Sequence, residues 1–186
     1  ARPLPEAFLG EARALAALGR PAEAVVALDK ISSDTQLGSR ARLLQSELYL
    51  ELGRADDAER ALTLVPAPTQ TQQKETDYLR ARIQLARKKF EKAIPILQAL
   101  CREPTGLTEQ MWGGAFIGLA EALRQSGAQA KARGIIEKFI DENPSNSTLP
   151  SAFELLDQLY VNEPGVGVTQ LESWAHEEKG VRANLA

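Results

Sequence analysis

Cysteine is almost absent from this chain of 186 residues: Cys101 stands alone. One thiol can form neither an internal disulfide nor a zinc site, and it says little about redox compartment. Histidine also occurs once, as His176, with no second His or Cys to share a metal. Aromatic residues make up only 5%, and Val, Ile and Thr never alternate over a strand-length run, which argues against a sheet. No apolar run approaches the ~18 residues of a membrane span. Neither sign of charge dominates: the net charge is −3 with the signs interspersed, so there is no basic stripe for nucleic acid and no acidic tail.

What the chain does have is alanine, leucine and long charged side chains. Hydrophobic residues are 44% and charged residues 25%, which fits a folded soluble chain. Ala, Leu, Glu, Gln, Arg and Lys lose little entropy in a helix, so the composition predicts an all-α fold. The chain starts at Ala1 without a Met or a signal-like segment, and Asn184-Leu185-Ala186 reads like the opening of another helix. A fragment or processed chain is therefore expected, with any targeting information outside it.

The helical pattern repeats. Phe8, Ala12 and Leu15 lead to Leu18-Gly19-Arg20, then to Ala24 and Leu28; Tyr49 leads to Leu52-Gly53-Arg54, then to Ala58 and Leu62. Gly19 to Gly53 is 34 residues, and so is Ala24 to Ala58. These residues resemble the tetratricopeptide repeat, in which a bulky, a small and a large apolar residue precede a turn glycine and a second helix opens on a small residue. Phe116, Ala120, Leu123, Gly127, Ala132, Ile136 and Phe139 repeat the pattern, with Pro144 at the exit. Looser copies hold Ser46 in the second unit, and Ala81 and Ala93 in the third, where Lys88 replaces the turn glycine. A fifth pair keeps Phe153, Leu156 and Tyr160 but has Glu163-Pro164-Gly165-Val166-Gly167 in place of the tight turn. The resemblance covers roughly residues 5 to 162. It implies a right-handed α-solenoid of about five antiparallel helix pairs, at about 5–32, 37–66, 70–103, 107–143 and 149–178, in a single domain over 1–186. Ala12, Ala24, Ala58, Ala81, Ala93, Ala120 and Ala132 are expected where helices approach most closely.

Breaks in the pattern agree. Asp34, Thr35 or Ser39 can cap the second pair, and Pro66-Ala67-Pro68-Thr69 leads into the third. Pro95 falls inside the third pair's second helix, where a kink or a loosened first turn is expected. Trp112-Gly113-Gly114 is unusual, since glycine in a helix interior costs about 1 kcal/mol. Either the helix begins after the glycines, which is the preferred expectation, or a backbone or ligand approaches closely there.

In the family it resembles, the first helix of each pair lines a concave face. Projected onto this chain, that face offers Leu9 and Arg13, Leu43 and Glu47, Tyr78 and Arg82, Ile117 and Glu121. The charged members either pair between neighbouring helices and set the stacking, or hydrogen-bond a peptide or partner helix while the apolar members form pockets. The lysines and asparagines with which some members clamp acidic chaperone tails have no counterparts, since Leu9, Leu43, Tyr78 and Ile117 stand there.

Nothing points to chemistry. His176 reads as an exposed residue on a terminal helix and Cys101 as a small packed or half-exposed one. Gly165-Val166-Gly167-Val168 lacks the Lys-Ser/Thr of a phosphate loop. Trp112 and Trp174 could anchor a partner, but packing in the stack is the preferred reading. No pair of carboxylates stands out as an acid/base couple. The expectation is a non-catalytic scaffold without cofactor or metal, binding a protein or peptide and neither nucleic acid nor the membrane interior. The alternatives are a self-assembling homo-oligomer and an accessory domain of a larger enzyme or envelope complex. The stretch Phe139-Ile140-Asp141-Glu142-Asn143-Pro144 looks like longer-spaced repeats of bacterial cell-envelope proteins, which favours the envelope or periplasm over cytoplasm.

Overall fold

The computed structural model describes residues 4–33, 35–65, 69–161, 168–176 and 184–185, and all regular structure among them is helical. Asp34, the Pro66–Pro68 break and the Glu163–Gly167 turn lie outside the described residues. Two compact units divide the chain between Lys89 and Phe90.

The first unit holds α1 (Pro5–Ala17), α2 (Pro21–Leu28), α3 (Gln36–Glu51), α4 (Ala55–Thr63) and α5 (Gln70–Ala86). Helix α1 packs on α2 and α3 on α4, while α3 also meets α1, α2 and α5. The second unit holds α6 (Phe90–Arg102), α7 (Glu109–Gln125), α8 (Gln129–Glu142), α9 (Leu149–Tyr160) and α10 (Val168–Ala175). There α7 lies against α6 and α8, and α9 against α7 and α8. Each unit thus layers its five described helices against their neighbours. Among the described residues no helix is long and apolar enough to cross a membrane.

The recurring alanines explain the close layering. All seven are at 0% exposure. A methyl group lets two helix axes approach, and the larger neighbours fill the seams. Around Ala12 and Ala24 these are Leu9, Leu28, Ile31 and Leu48; around Ala58 they are Leu43, Leu62, Leu79 and Ile83.

The turns are built alike. In the first, the Gly19 amide donates to the Ala16 carbonyl and the Arg20 amide to that of Leu15, each at 2.9 Å. Gly53 and Arg54, Lys88 and Lys89, and Gly127 and Ala128 repeat the same pair of bonds. This helix ending needs a left-handed residue. Gly19 and Gly53 have φ +70° and Gly127 φ +81°, and Lys88 takes the same conformation at φ +56°.

Helix starts follow their caps. The Gly38 amide donates to the Thr35 hydroxyl at 2.9 Å, so Thr35 caps α3, while Ser39 lies buried inside the helix. Thr69 and Gln72 form a reciprocal capping box at α5, and Thr108 caps α7. Arg42 is buried too. Its guanidinium donates to the Ile31 carbonyl at 2.7 Å and to the Ser33 hydroxyl at 3.2 Å. Arg42 also bonds Gln45, whose amide reaches Asp29 at 2.7 Å. The polar lattice ties α3 to the exit of α2.

One expectation needs correction. Helix α7 begins at Glu109 and runs through both glycines. A Cβ at Gly113 would stand 2.1 Å from the Thr148 hydroxyl and 3.0 Å from the Asn146 side-chain oxygen. Close approach is therefore the reason for Gly113: the turn before α9 packs onto α7 there. Helix α6 runs from Phe90 to Arg102 with Pro95 inside it, where the sequence placed it.

The fifth pair is closed by Trp174, which is 1% exposed. Its ring meets Phe153 edge-on at 5.6 Å, and its Nε1 donates to Asp141 at 3.2 Å. His176 is exposed, its Nδ1 bonded to the Glu172 carbonyl at 2.6 Å.

Candidate functional site

Helices α1 and α3 are the first members of their pairs, and with α5 they border one open groove of about 430 Å³. Four of the residues projected from sequence line it: Leu9 and Arg13 from α1, Leu43 and Glu47 from α3. Leu9 and Leu43 are 7% and 2% exposed, so they form the floor and present little surface themselves. The walls come from residues that the projection missed. Gln36, Arg40 and Leu44 contribute from α3, and Thr69, Gln72 and Glu75 from the start of α5.

The walls carry both signs of charge. Tyr78 and Arg82, also projected from sequence, lie on α5 outside the groove lining; Arg82 pairs with the wall residue Glu47 across α3 and α5 at 3.5 Å. The Arg82 guanidinium also lies 5.8 Å from the centre of the Tyr78 ring. Tyr78 is half-buried, and desolvation pushes its pKa up. Glu75 is raised as well, first by burial and then by the charge of Glu47, against a smaller opposing effect of Arg40. Arg13 and Arg40 are exposed and have no ion pair among the described residues.

The remaining two projected residues lie in the second unit, on α7. Ile117 is half-buried there. Glu121 bonds within its own helix, accepting from Arg124 at 2.8 Å and from Gln125 at 2.8 Å. Burial works upward on the Glu121 pKa, but these hydrogen bonds and the Arg124 charge bring it below the ordinary carboxylate value. The pairing expected between neighbouring helices is thus formed by Glu47 and Arg82, while Glu121 is engaged along its own helix.

The groove carries a mixed polar and apolar lining without a built nucleophile. Cys101 lies elsewhere, and burial pushes its thiol up to about 12, which leaves little thiolate at neutral pH. Among the described residues no group of three or more His, Cys, Asp or Glu side chains could hold a metal ion.

Residues 9–70 match the tetratricopeptide repeat family. That segment runs from α1 to the first residue of α5 and contains most of the groove wall. Repeats of this family generally mediate protein–protein interaction and typically act as non-catalytic scaffolds. Comparison with curated proteins and with solved structures gave no match.

Proposed function

We propose, with the tetratricopeptide repeats of residues 9–70 as the premise, that the chain is a protein-binding scaffold without catalytic chemistry of its own, and that a partner segment lies along α1, α3 and α5. The observation that carries this reading is the groove itself. Three helices supply it, its floor is Leu9 and Leu43, and two guanidiniums, Arg13 and Arg40, stand over it without an ion pair among the described residues. A solvated guanidinium that already faces a groove can give its donors to a partner without first breaking an internal pair. The Gln36 and Gln72 amides can serve the backbone of an extended peptide in the same space.

The test is affinity capture from the native host with the wild-type chain and an Arg13→Glu/Arg40→Glu variant, alongside Tyr78→Ala/Arg82→Ala. Both arginines are exposed, so the first variant should melt within a few degrees of wild type. A partner retained by wild type and lost by that folded variant supports the reading. Equal recovery with both refutes it.

Self-assembly is the second reading. The first pair leaves Leu18 at 70% and Val26 at 60% exposure. Val26 borders a hollow whose rim holds Glu11, Arg20, Glu23 and Lys30, a mixed-sign set that suits pairing with a copy of itself. Light scattering after size-exclusion chromatography separates the two: mass rising with concentration favours self-assembly, and a constant monomer mass favours the partner groove. A role as an accessory domain of a larger assembly fits the same groove. The resemblance of Phe139–Pro144 to envelope repeats supports a bacterial cell-envelope setting, which fractionation of the host would check.

A further inference from the structure

A second groove, of about 500 Å³, opens between α6 and α8 in the second unit. Its floor is Trp112, Phe116 and Leu119 from α7, and its walls include Cys101 on α6 and Ile135 on α8. The floor is fixed from below. Trp112 meets Phe116 edge-on at 5.3 Å, and Phe116 stacks at 4.9 Å on Phe139, which is fully buried. The indole nitrogen donates to the Cys101 carbonyl at 3.3 Å. Trp112, Phe116 and Ile135 nonetheless stay half-buried, so an apolar surface of fixed shape faces water.

Gly134 adds an independent observation. It lies in the interior of α8, is exposed, and lines this groove. Among the described residues, a Cβ built on it meets no atom within 4 Å apart from its own helix backbone. Glycine weakens a helix relative to alanine, and here no neighbour in the fold requires it. Gly10 on α1 is equally open but lines no groove described here. What Gly134 does provide is room for a foreign backbone to come close to the wall of the groove.

The rim supplies the charge. Arg102 on α6 donates to the Gln98 carbonyl of its own helix at 3.3 Å and has no carboxylate partner among the described residues. Lys138 on α8 reaches Glu142 only at 3.8 Å, with both side chains at least 60% exposed. Two cations therefore face one carboxylate around an apolar floor.

We propose that this groove takes a short amphipathic helix of a partner protein, with an aromatic or aliphatic anchor seated on Trp112 and Phe116 and an acidic side chain against Arg102 or Lys138. The lining of α8 runs from Gly134 to Glu142, about two helical turns, which sets the length of the contact. A small molecule would stay half in solvent on so open a floor, whereas a helix would cover it and bring a backbone to Gly134. The site is built from different helices than the groove of the first unit, so either can fail alone.

The experiment is selection from a random peptide display library on the full chain carrying Arg13→Glu and Arg40→Glu, so that ligands of the first-unit groove are not selected, followed by affinity measurement of the selected peptides on the wild-type chain. Selected sequences should carry apolar anchors one turn apart with Asp or Glu beside them. Gly134→Leu fills the groove while adding a better helix former, so it should weaken those peptides at least tenfold with a melting temperature equal to or above wild type. Lys138→Glu, on the exposed rim, should weaken acidic peptides severalfold and favour charge-reversed ones. Arg13→Glu should change nothing. Unchanged affinity for Gly134→Leu overturns the proposal. So does a selection that yields no peptides while the dye 8-anilinonaphthalene-1-sulfonate binds wild type and not Gly134→Leu, since that result describes a small-molecule hollow.

Discussion

Arg82 on α5 reaches Glu47 on α3 at 3.5 Å, two residues 35 apart in the chain, and the pair links these two helices. The side chains are 31% and 41% exposed. At that exposure the pair contributes little: a double-mutant cycle on Glu47→Ala and Arg82→Ala should give a coupling of roughly 0.2–1 kcal/mol, falling as salt is added. A coupling well above that range would show that the pair is a main support of the layering.

Lys88 offers a test of the turn geometry. Its φ of +56° costs a side-chain-bearing residue about 1 kcal/mol relative to glycine. Lys88→Gly should therefore raise stability by up to about 1 kcal/mol in urea titration, while Gly53→Ala, at φ +70°, should lower it by a similar amount.

Gly113→Ala should destabilise by roughly 1–3 kcal/mol, because the new methyl meets the Thr148 side chain. Thr148 also holds the turn before α9, with its amide and hydroxyl donating to Asn146 at 2.9 and 2.7 Å. Thr148→Ala in the Gly113→Ala background should recover part of the loss in the same titration. A silent Gly113→Ala would contradict the packing of this turn on α7.

The groove leaves a trace in the pH dependence. Glu75 has a folded pKa above its unfolded value, so the native state binds a proton more tightly than the unfolded chain. Its contribution is favourable below the ordinary glutamate value and is lost as pH rises through the folded value. Stability measured across that window should show a downward contribution that Glu75→Gln removes, with the variant more stable than wild type at neutral pH.

Cys101 should be a slow thiol. With its pKa pushed up to about 12, its thiolate fraction at neutral pH is lower than that of a free cysteine by on the order of a thousandfold. Iodoacetamide labelling should be slow in buffer and fast in denaturing urea; equal rates would contradict the burial.

The fold was legible wherever local chemistry repeats. Ala24 and Ala58 share a spacing because both lie at helix contacts, and Lys88 could be placed at a turn because the residues around it keep the pattern. Gly113 was misread because its reason lies in Thr148, distant in sequence, and periodicity does not report which loop lands on a helix. The groove was half legible. The projection took one apolar and one charged residue from each helix and so found Leu43 and Glu47, but Arg40 stands three residues before Leu43 and Glu75 three before Tyr78. Following the same stripe back toward the helix start would have found both. The hollow on α6 and α8 was only partly legible: Trp112 could be read as an anchor, but packing was preferred for it, and half-burial is a property of the layer, which the residue type does not disclose.

The most direct test of the binding account is site-specific photocrosslinking in the native host, with the photoreactive residue placed at Arg40 on the groove wall or at Arg60 on α4. The Arg60 side chain is 75% exposed and lines no part of the groove. The account predicts a discrete crosslinked product from position 40 that disappears when Arg13→Glu is added, and none from position 60. The same product from both positions, or from position 60 alone, would contradict it.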